Sequence, residues 1–244
     1  MSRVISWFSC GAASAVATKL MIEHNPQTQV VRIVIDNEHE DNSRFADDCA
    51  EWFGRPILEL RSAKHKDCWS VWEKERWLNG PGGAKCTVEL KKKVRRDFQQ
   101  HDDIQAFGYT FDEKDRATHL IENNLELFRL AKYPLIAAKY TKEDCFKRIE
   151  DAGLLLPMPY RLGLHNANCI GCVKGGMGYW NRIRELFPDV FDRMSKLERN
   201  IGASCIKGVY LDELDPKRGR HEDIRLPSCG FVCEPVQLSL FGRV

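Results

Sequence analysis

The run Val4-Ile5-Ser6-Trp7-Phe8, the turn Ser9-Cys10-Gly11-Ala12-Ala13-Ser14 and the stretch from Ala15 to Glu23 decide how this chain is read. A mostly apolar run predicts a buried strand, and apolar residues at helical spacing from Ala15 predict a helix. Between them lie only small residues. Such residues let backbone amides approach an anion, and the N–H groups and dipole of a helix N-terminus favour phosphate or sulfate there. Ser9 and Ser14 add hydroxyl donors beside Gly11. A small-residue turn also serves packing alone, so its meaning depends on what surrounds it.

The β-branched run Val30 to Ile35 predicts a second strand, followed by polar Asp36-Asn37-Glu38-His39-Glu40 and a helix through Phe53. Ile57 to Leu60 reads as a third strand, Val88 to Gln100 as a basic helix, Gln105 to Tyr109 as a short strand and Arg116 to Leu130 as a helix. Thr141 and Asp144 carry a capping-box pattern that opens a helix through Ala152. Pro157 and Pro159 then stop regular structure, and helices are expected around Trp180 to Phe187 and Val190 to Asn200. The alternation predicts an α/β fold of the Rossmann-like kind, a mostly parallel sheet flanked by helices. Residues 1–176 are expected to form that domain, and 177–244 an irregular, cysteine-bearing C-terminal region packed on it. Ligands of such sheets bind at the carboxyl ends of strands, where Ser9 to Ser14 and Asp36 to Glu40 both fall.

With 244 residues, 43% hydrophobic and 30% charged, the chain has the composition of a soluble globular protein. No apolar run is long enough to span a membrane. The opening Met1-Ser2-Arg3-Val4-Ile5 lacks a secretory pattern, so a cytoplasmic protein is expected. A net charge of +2 gives no bulk attraction for nucleic acid, and anion binding must come from a local patch. One such patch gathers Lys85, Lys91, Lys92, Lys93, Arg95 and Arg96 around Glu89. Most of a charge run is a solvated helix face, with one or two members left for a ligand. Trp69, Trp72 and Trp77 nearby suit either helix packing or stacking on a base.

Ten cysteines in a reducing compartment point to metal or cluster ligands or catalytic thiols rather than disulfides. Cys169 and Cys172 form C-x-x-C around Gly171, which permits the tight turn that two thiolates on one centre need. Cys86, Cys205, Cys229 and Cys233 supply further ligands, and zinc on Cys169, Cys172, Cys229 and Cys233 is one arrangement. Cys49, Cys68 and Cys145 read as small core residues.

Taken together, the motifs resemble the PP-loop superfamily and, within it, the phosphoadenylylsulfate (PAPS) reductase family. Ser9 to Ser14 resembles the Ser-Gly-Gly-x-Asp-Ser loop, Ile35 to His39 its second-strand motif, and Cys86-Thr87-Val88-Glu89-Leu90-Lys91 its Cys-Thr-x-x-Leu-Lys segment. Gly108 to Arg116 resembles its Gly-x-x-x-Asp-Glu-x-x-Arg segment, and the stretch from Pro134 through Tyr160, Gly163 and Cys169-x-x-Cys172 its closing part. The resemblance implies an adenine-nucleotide α-hydrolase-like fold, with ATP or PAPS at Ser9, Gly11, Ser14, Asp36, Glu38, Lys91 and Arg116. It also implies a 4Fe-4S cluster on Cys86, Cys169 and Cys172, completed by Cys233, Cys229 or Cys205. Ala13 stands where ATP-cleaving members carry an acid, so magnesium there would fall to Asp36 or Glu38. Cys229-Gly230 is similar to the Cys-Gly of reductases whose cysteine attacks sulfur, which makes Cys229 a nucleophile as well as a ligand candidate; Asp36 is the other catalytic candidate.

The expectation is therefore an adenine-nucleotide enzyme of sulfur metabolism that reduces an adenylyl sulfate or transfers sulfur, with a thioredoxin-like or sulfur-donor protein as partner. Two alternatives stand beside it. One is an ATP pyrophosphatase that adenylates a nucleic acid or small acceptor for thiolation, and the other a non-catalytic, zinc-stapled nucleotide- or nucleic-acid-binding module.

Overall fold

All five residues of strand β1 (Val4–Phe8) are buried, as a strand covered on both faces by helices requires. They belong to a computed structural model that describes residues 2–80 and 83–220. Cys229 and Cys233 lie outside the described residues. The strand leads through the small-residue turn into helix α1 (Ala12–His24), and then come β2 (Gln29–Ile33), α2 (Asp41–Phe53) and β3 (Ile57–Leu60). Further on are α3 (Cys68–Glu75), α4 (Lys85–Thr87), a π-helical turn at Val88–Lys92, and α5 (Lys93–Phe98). Next follow β4 (Ile104–Ala106), α6 (Lys114–Glu122), β5 (Ala131–Lys132), α7 (Pro134–Ala137), α8 (Lys142–Asp151) and α9 (Met158–Arg161). Helices α10 (Met177–Leu186) and α11 (Pro188–Ile201) complete the order.

The strands form one sheet in the order β3-β2-β1-β4-β5, and every pairing is parallel. Fold class is thus α/β, as the alternation of elements predicted. Parallel neighbours need crossovers, and the order reverses direction on either side of β1, which puts the carboxyl end of β1 at the topological switch point. The loop 9–14 sits there.

Local differences from the sequence expectation have local causes. The second strand stops at Ile33 rather than Ile35, because Glu38 N–H turns back to the Ile35 carbonyl at 2.9 Å. The helix expected through Leu130 ends at Glu122. Asn123 and Asn124 side-chain amides donate to the carbonyls of His119 and Leu120, taking up the acceptors of the last turn. Helix α8 starts as predicted, with Thr141 Oγ1 accepting from Asp144 N–H at 3.2 Å while the Asp144 carboxylate accepts from Thr141 N–H at 2.8 Å.

The chain divides into two compact units, Met1–Arg61 with Val94–Cys169, and Ser62–Lys93 with Ile170–Val244. The first holds the sheet, and its core gathers Phe8, Phe45, Phe53, Leu135 and Ile149 around α1. In the second, Trp69 and Trp72 pack edge to face at 5.1 Å, and Trp180 and Phe191 join α10 to α11. Core packing is thus what Trp69 and Trp72 do. Among the described residues no helix is long and apolar enough to cross a membrane.

Candidate functional site

In the first unit the loop 9–14 is stapled by its own hydroxyls. Ser14 Oγ accepts from Ser9 N–H and from Ser9 Oγ, each at 3.1 Å, and donates to the Gly11 carbonyl at 2.9 Å. Ser14 therefore shapes the loop, while Ser9 is solvent-exposed and Gly11 half-buried. Cys10 holds a left-handed conformation, φ 55°, where the resembled loop has glycine. For a non-glycine residue that costs about 1 kcal/mol or more. Complete burial of the side chain and an S–H bond to the Asn42 carbonyl at 3.3 Å offset it. Burial also pushes the Cys10 thiol well above its ordinary range, so it is an inert thiol rather than a nucleophile.

Gly108 fits for a different reason. A Cβ there would lie 2.6 Å from Ser14 Cα and 2.8 Å from Ser14 N, so only glycine lets the segment after β4 press against the start of α1. That segment carries Arg116, whose guanidinium pairs with Glu113 and lies 5.1 Å from the Tyr109 ring centroid. Glu113 in turn accepts from Thr110 N–H at 3.1 Å, so the arginine is held on a braced turn.

The two acids after β2 differ sharply. Asp36 pairs with Arg61 at 2.6 Å and both are half exposed, so solvent competes for the pair. Glu38 is buried and pairs at 3.2 Å with the buried Arg32, which also reaches Glu59 at 3.0 Å. Holding a cation would require Glu38 to leave Arg32, which leaves Asp36 as the acid open to a ligand. Glu38→Gln is expected to destabilise the fold by about 2 kcal/mol, less than for a lone buried pair because Glu59 remains, as a urea midpoint would report.

The second unit brings thiols together. Cys68 hydrogen-bonds to Cys86, and this contact, with Lys174, Lys91 and Trp72, draws the Cys86 thiol below its ordinary range against the opposing effect of burial. Cys68 is buried, as expected of a core residue, and is also a thiol partner. Its i, i+18 relation to Cys86 offers no sequence signal. Lys91, expected at the nucleotide, is buried in the π-helical turn and acts on Cys86. Cys205 lies in the same neighbourhood. Burial first, then Glu198, Cys172 and Cys86, push its thiol well up, and Glu198 accepts from Cys205 N–H at 2.6 Å. Tyr179 Oη accepts from the N–H groups of Gly171 and Cys172, each at 2.9 Å, and fixes the turn that presents Cys172. Gly171 has φ 79°, as the tight turn demands.

Among the described residues no three His, Cys, Asp or Glu side chains converge on one ion position. A single zinc holds each sulfur at about 2.3 Å and so draws its thiolates into mutual contact. An iron–sulfur cluster places its thiolates on separate irons and spreads them further apart than a single ion does.

No protein-family model and no curated protein sequence matches this chain. Among solved structures it is similar to the U34-tRNA thiolase NcsA from Methanococcus maripaludis, determined with its 4Fe-4S cluster, at 17% identity and a TM-score of 0.37. The match covers 82% of this chain and 66% of that one, so the chain spans just under two thirds of the thiolase's length.

Proposed function

We propose that the chain is an adenine-nucleotide-dependent enzyme of sulfur transfer, binding the phosphate or sulfate end of its nucleotide at the loop 9–14. The observation that carries this reading is the loop itself. It is a hydroxyl-stapled turn at the switch point of a parallel sheet, pressed by Gly108 and leading into the N-terminus of α1. In this reading Asp36 would hold magnesium and Arg116 would meet phosphate oxygens.

The thiols of the second unit give the sulfur side of the reaction. Cys86, Cys172 and Cys205 would hold a 4Fe-4S cluster, which when bound would supply an iron site or electrons for sulfur chemistry. The Cys68 hydrogen bond first, then Lys174 and Lys91, favour thiolate at Cys86, as ligation or attack needs. Of the two finer reactions, thiolation of an acceptor adenylated by ATP rests on these thiols, all among the described residues. In that reaction the acceptor oxygen attacks ATP, pyrophosphate leaves, and sulfur then displaces AMP. Reduction of an adenylyl sulfate rests on Ala13, which removes the acid that ATP-cleaving loops carry, and on Cys229.

Incubation with ATP plus acceptor RNA, and separately with PAPS, separates them. AMP and pyrophosphate with sulfur entering the acceptor are expected for thiolation. Sulfite and adenosine bisphosphate would establish reduction, and no turnover of either nucleotide would remove the enzyme reading. Cys172→Ser is expected to lose most bound iron on anaerobic purification, since a shared site rarely survives loss of one thiolate. Iron content and visible absorbance check this, and full retention would show the C-x-x-C to be structural.

A further inference from the structure

Tyr160, in the short helix α9, is not among the residues the loop motif supplies, yet its phenol reaches the loop. Ala12 N–H donates to Tyr160 Oη at 3.2 Å. The Ala167 backbone N–H donates to the same oxygen. A phenol oxygen accepts through its lone pairs and donates through one proton, so with two amides accepted Tyr160 has only that proton left to give. Accepting those bonds also polarises the O–H towards an anionic partner.

The space into which it can give the proton is defined by Gly11. A Cβ built at Gly11 would lie 3.3 Å from Tyr160 Oη, 3.8 Å from Ser9 Oγ and 3.9 Å from Ser14 Oγ. Three hydroxyls therefore surround the room that glycine leaves open at the start of α1. The tyrosine is itself fixed on every side. Its ring meets Phe146 edge to face at 5.3 Å, and Lys142 Nζ lies 5.6 Å from its centroid. Lys142 also donates to the His165 carbonyl and to Asn166 Oδ1, the latter at 2.9 Å, which anchors the segment carrying the Ala167 amide.

We propose that Tyr160 is a direct ligand of the bound nucleotide, its hydroxyl donating to a phosphate or sulfate oxygen seated in front of Gly11. The proposal rests on the nucleotide reading of the loop given above. It adds a neutral donor from a distant segment, so that one side chain both contacts the loop at Ala12 and recognises the oxyanion. A neutral donor reads the position of an oxygen and adds no charge, which distinguishes it from Arg116.

Tyr160→Phe keeps the ring contacts and removes only the hydroxyl, so it is the direct test. Affinities of the unmutated chain and the variant are measured calorimetrically for ATP, PAPS, inorganic pyrophosphate and adenosine. Loss of one hydrogen bond to a charged group is expected to weaken pyrophosphate and the nucleotide bound by about tenfold and to leave adenosine unchanged. Equal or tighter pyrophosphate binding by Tyr160→Phe, while the unmutated chain binds normally, would overturn the proposal and leave the loop reading intact. An unmutated chain that binds none of the four ligands would overturn both. Ring-labelled tyrosine in the unmutated chain gives a readout that does not depend on the variant folding. Saturation with pyrophosphate, but not with adenosine, must shift a tyrosine Cζ resonance, and the absence of any such shift counts against a phenol ligand.

Discussion

Gly11→Asp is expected to keep the fold and to lose nucleotide binding by a hundredfold or more. Gly11 has φ −92°, a conformation open to any residue, so the backbone itself does not resist the change. What the carboxylate does is occupy the space lined by Ser9, Ser14 and Tyr160, with its first carbon 3.3 Å from the phenol oxygen, and place negative charge where a phosphate must sit. Like charges about 4 Å apart at an effective dielectric near 20 cost about 4 kcal/mol, more than the hundredfold loss requires. An unchanged melting temperature with lost ATP or PAPS affinity is the predicted pair of observations. Unchanged affinity in the folded variant would detach the loop from nucleotide binding.

Gly108→Ala is expected to act in the opposite manner, through the fold. Its new methyl would meet Ser14 Cα at 2.6 Å, Ser14 N at 2.8 Å and the Ala13 carbonyl carbon at 3.1 Å, all main-chain atoms of α1 that no rotamer change can move. Relief requires β4 and α1 to separate, and overpacking of this kind costs about 3 kcal/mol. Urea denaturation should show that loss. Because the displaced atoms are those of the loop, nucleotide affinity should fall even in the fraction that remains folded, whereas a stability within about 0.5 kcal/mol of the parent would mean the contact relaxes elsewhere.

How much of this was legible in the sequence depends on how local the physics is. The strand, turn and helix from Val4 to His24 follow from periodicity and residue size, and the capping box at Thr141 from two side chains three residues apart. Strand β5 could not be read, because Ala131–Lys132 has two residues and exists only through its pairing with β4. Glu38 was expected at the nucleotide. Its burial against Arg32 depends on how the end of β2 folds back, which no spacing rule encodes. Lys91 looked like a phosphate clamp from its basic run, but its side chain is buried and its charge falls on Cys86. The thiol contact of Cys68 and the loop contact of Tyr160, a residue of the closing motif, share a reason for being illegible. Each is one long-range contact, with Cys86 and with Ala12 respectively, and residue type gives no hint of either.

The central claim is that an adenine nucleotide sits with its phosphate or sulfate end in the loop 9–14, and equilibrium dialysis of labelled ATP and labelled PAPS tests it most directly. One of the two nucleotides should be retained at a single saturable site, displaced by excess pyrophosphate and absent from Gly11→Asp. Retention of neither nucleotide by the folded, unmutated chain, or equal retention by Gly11→Asp, would contradict the account.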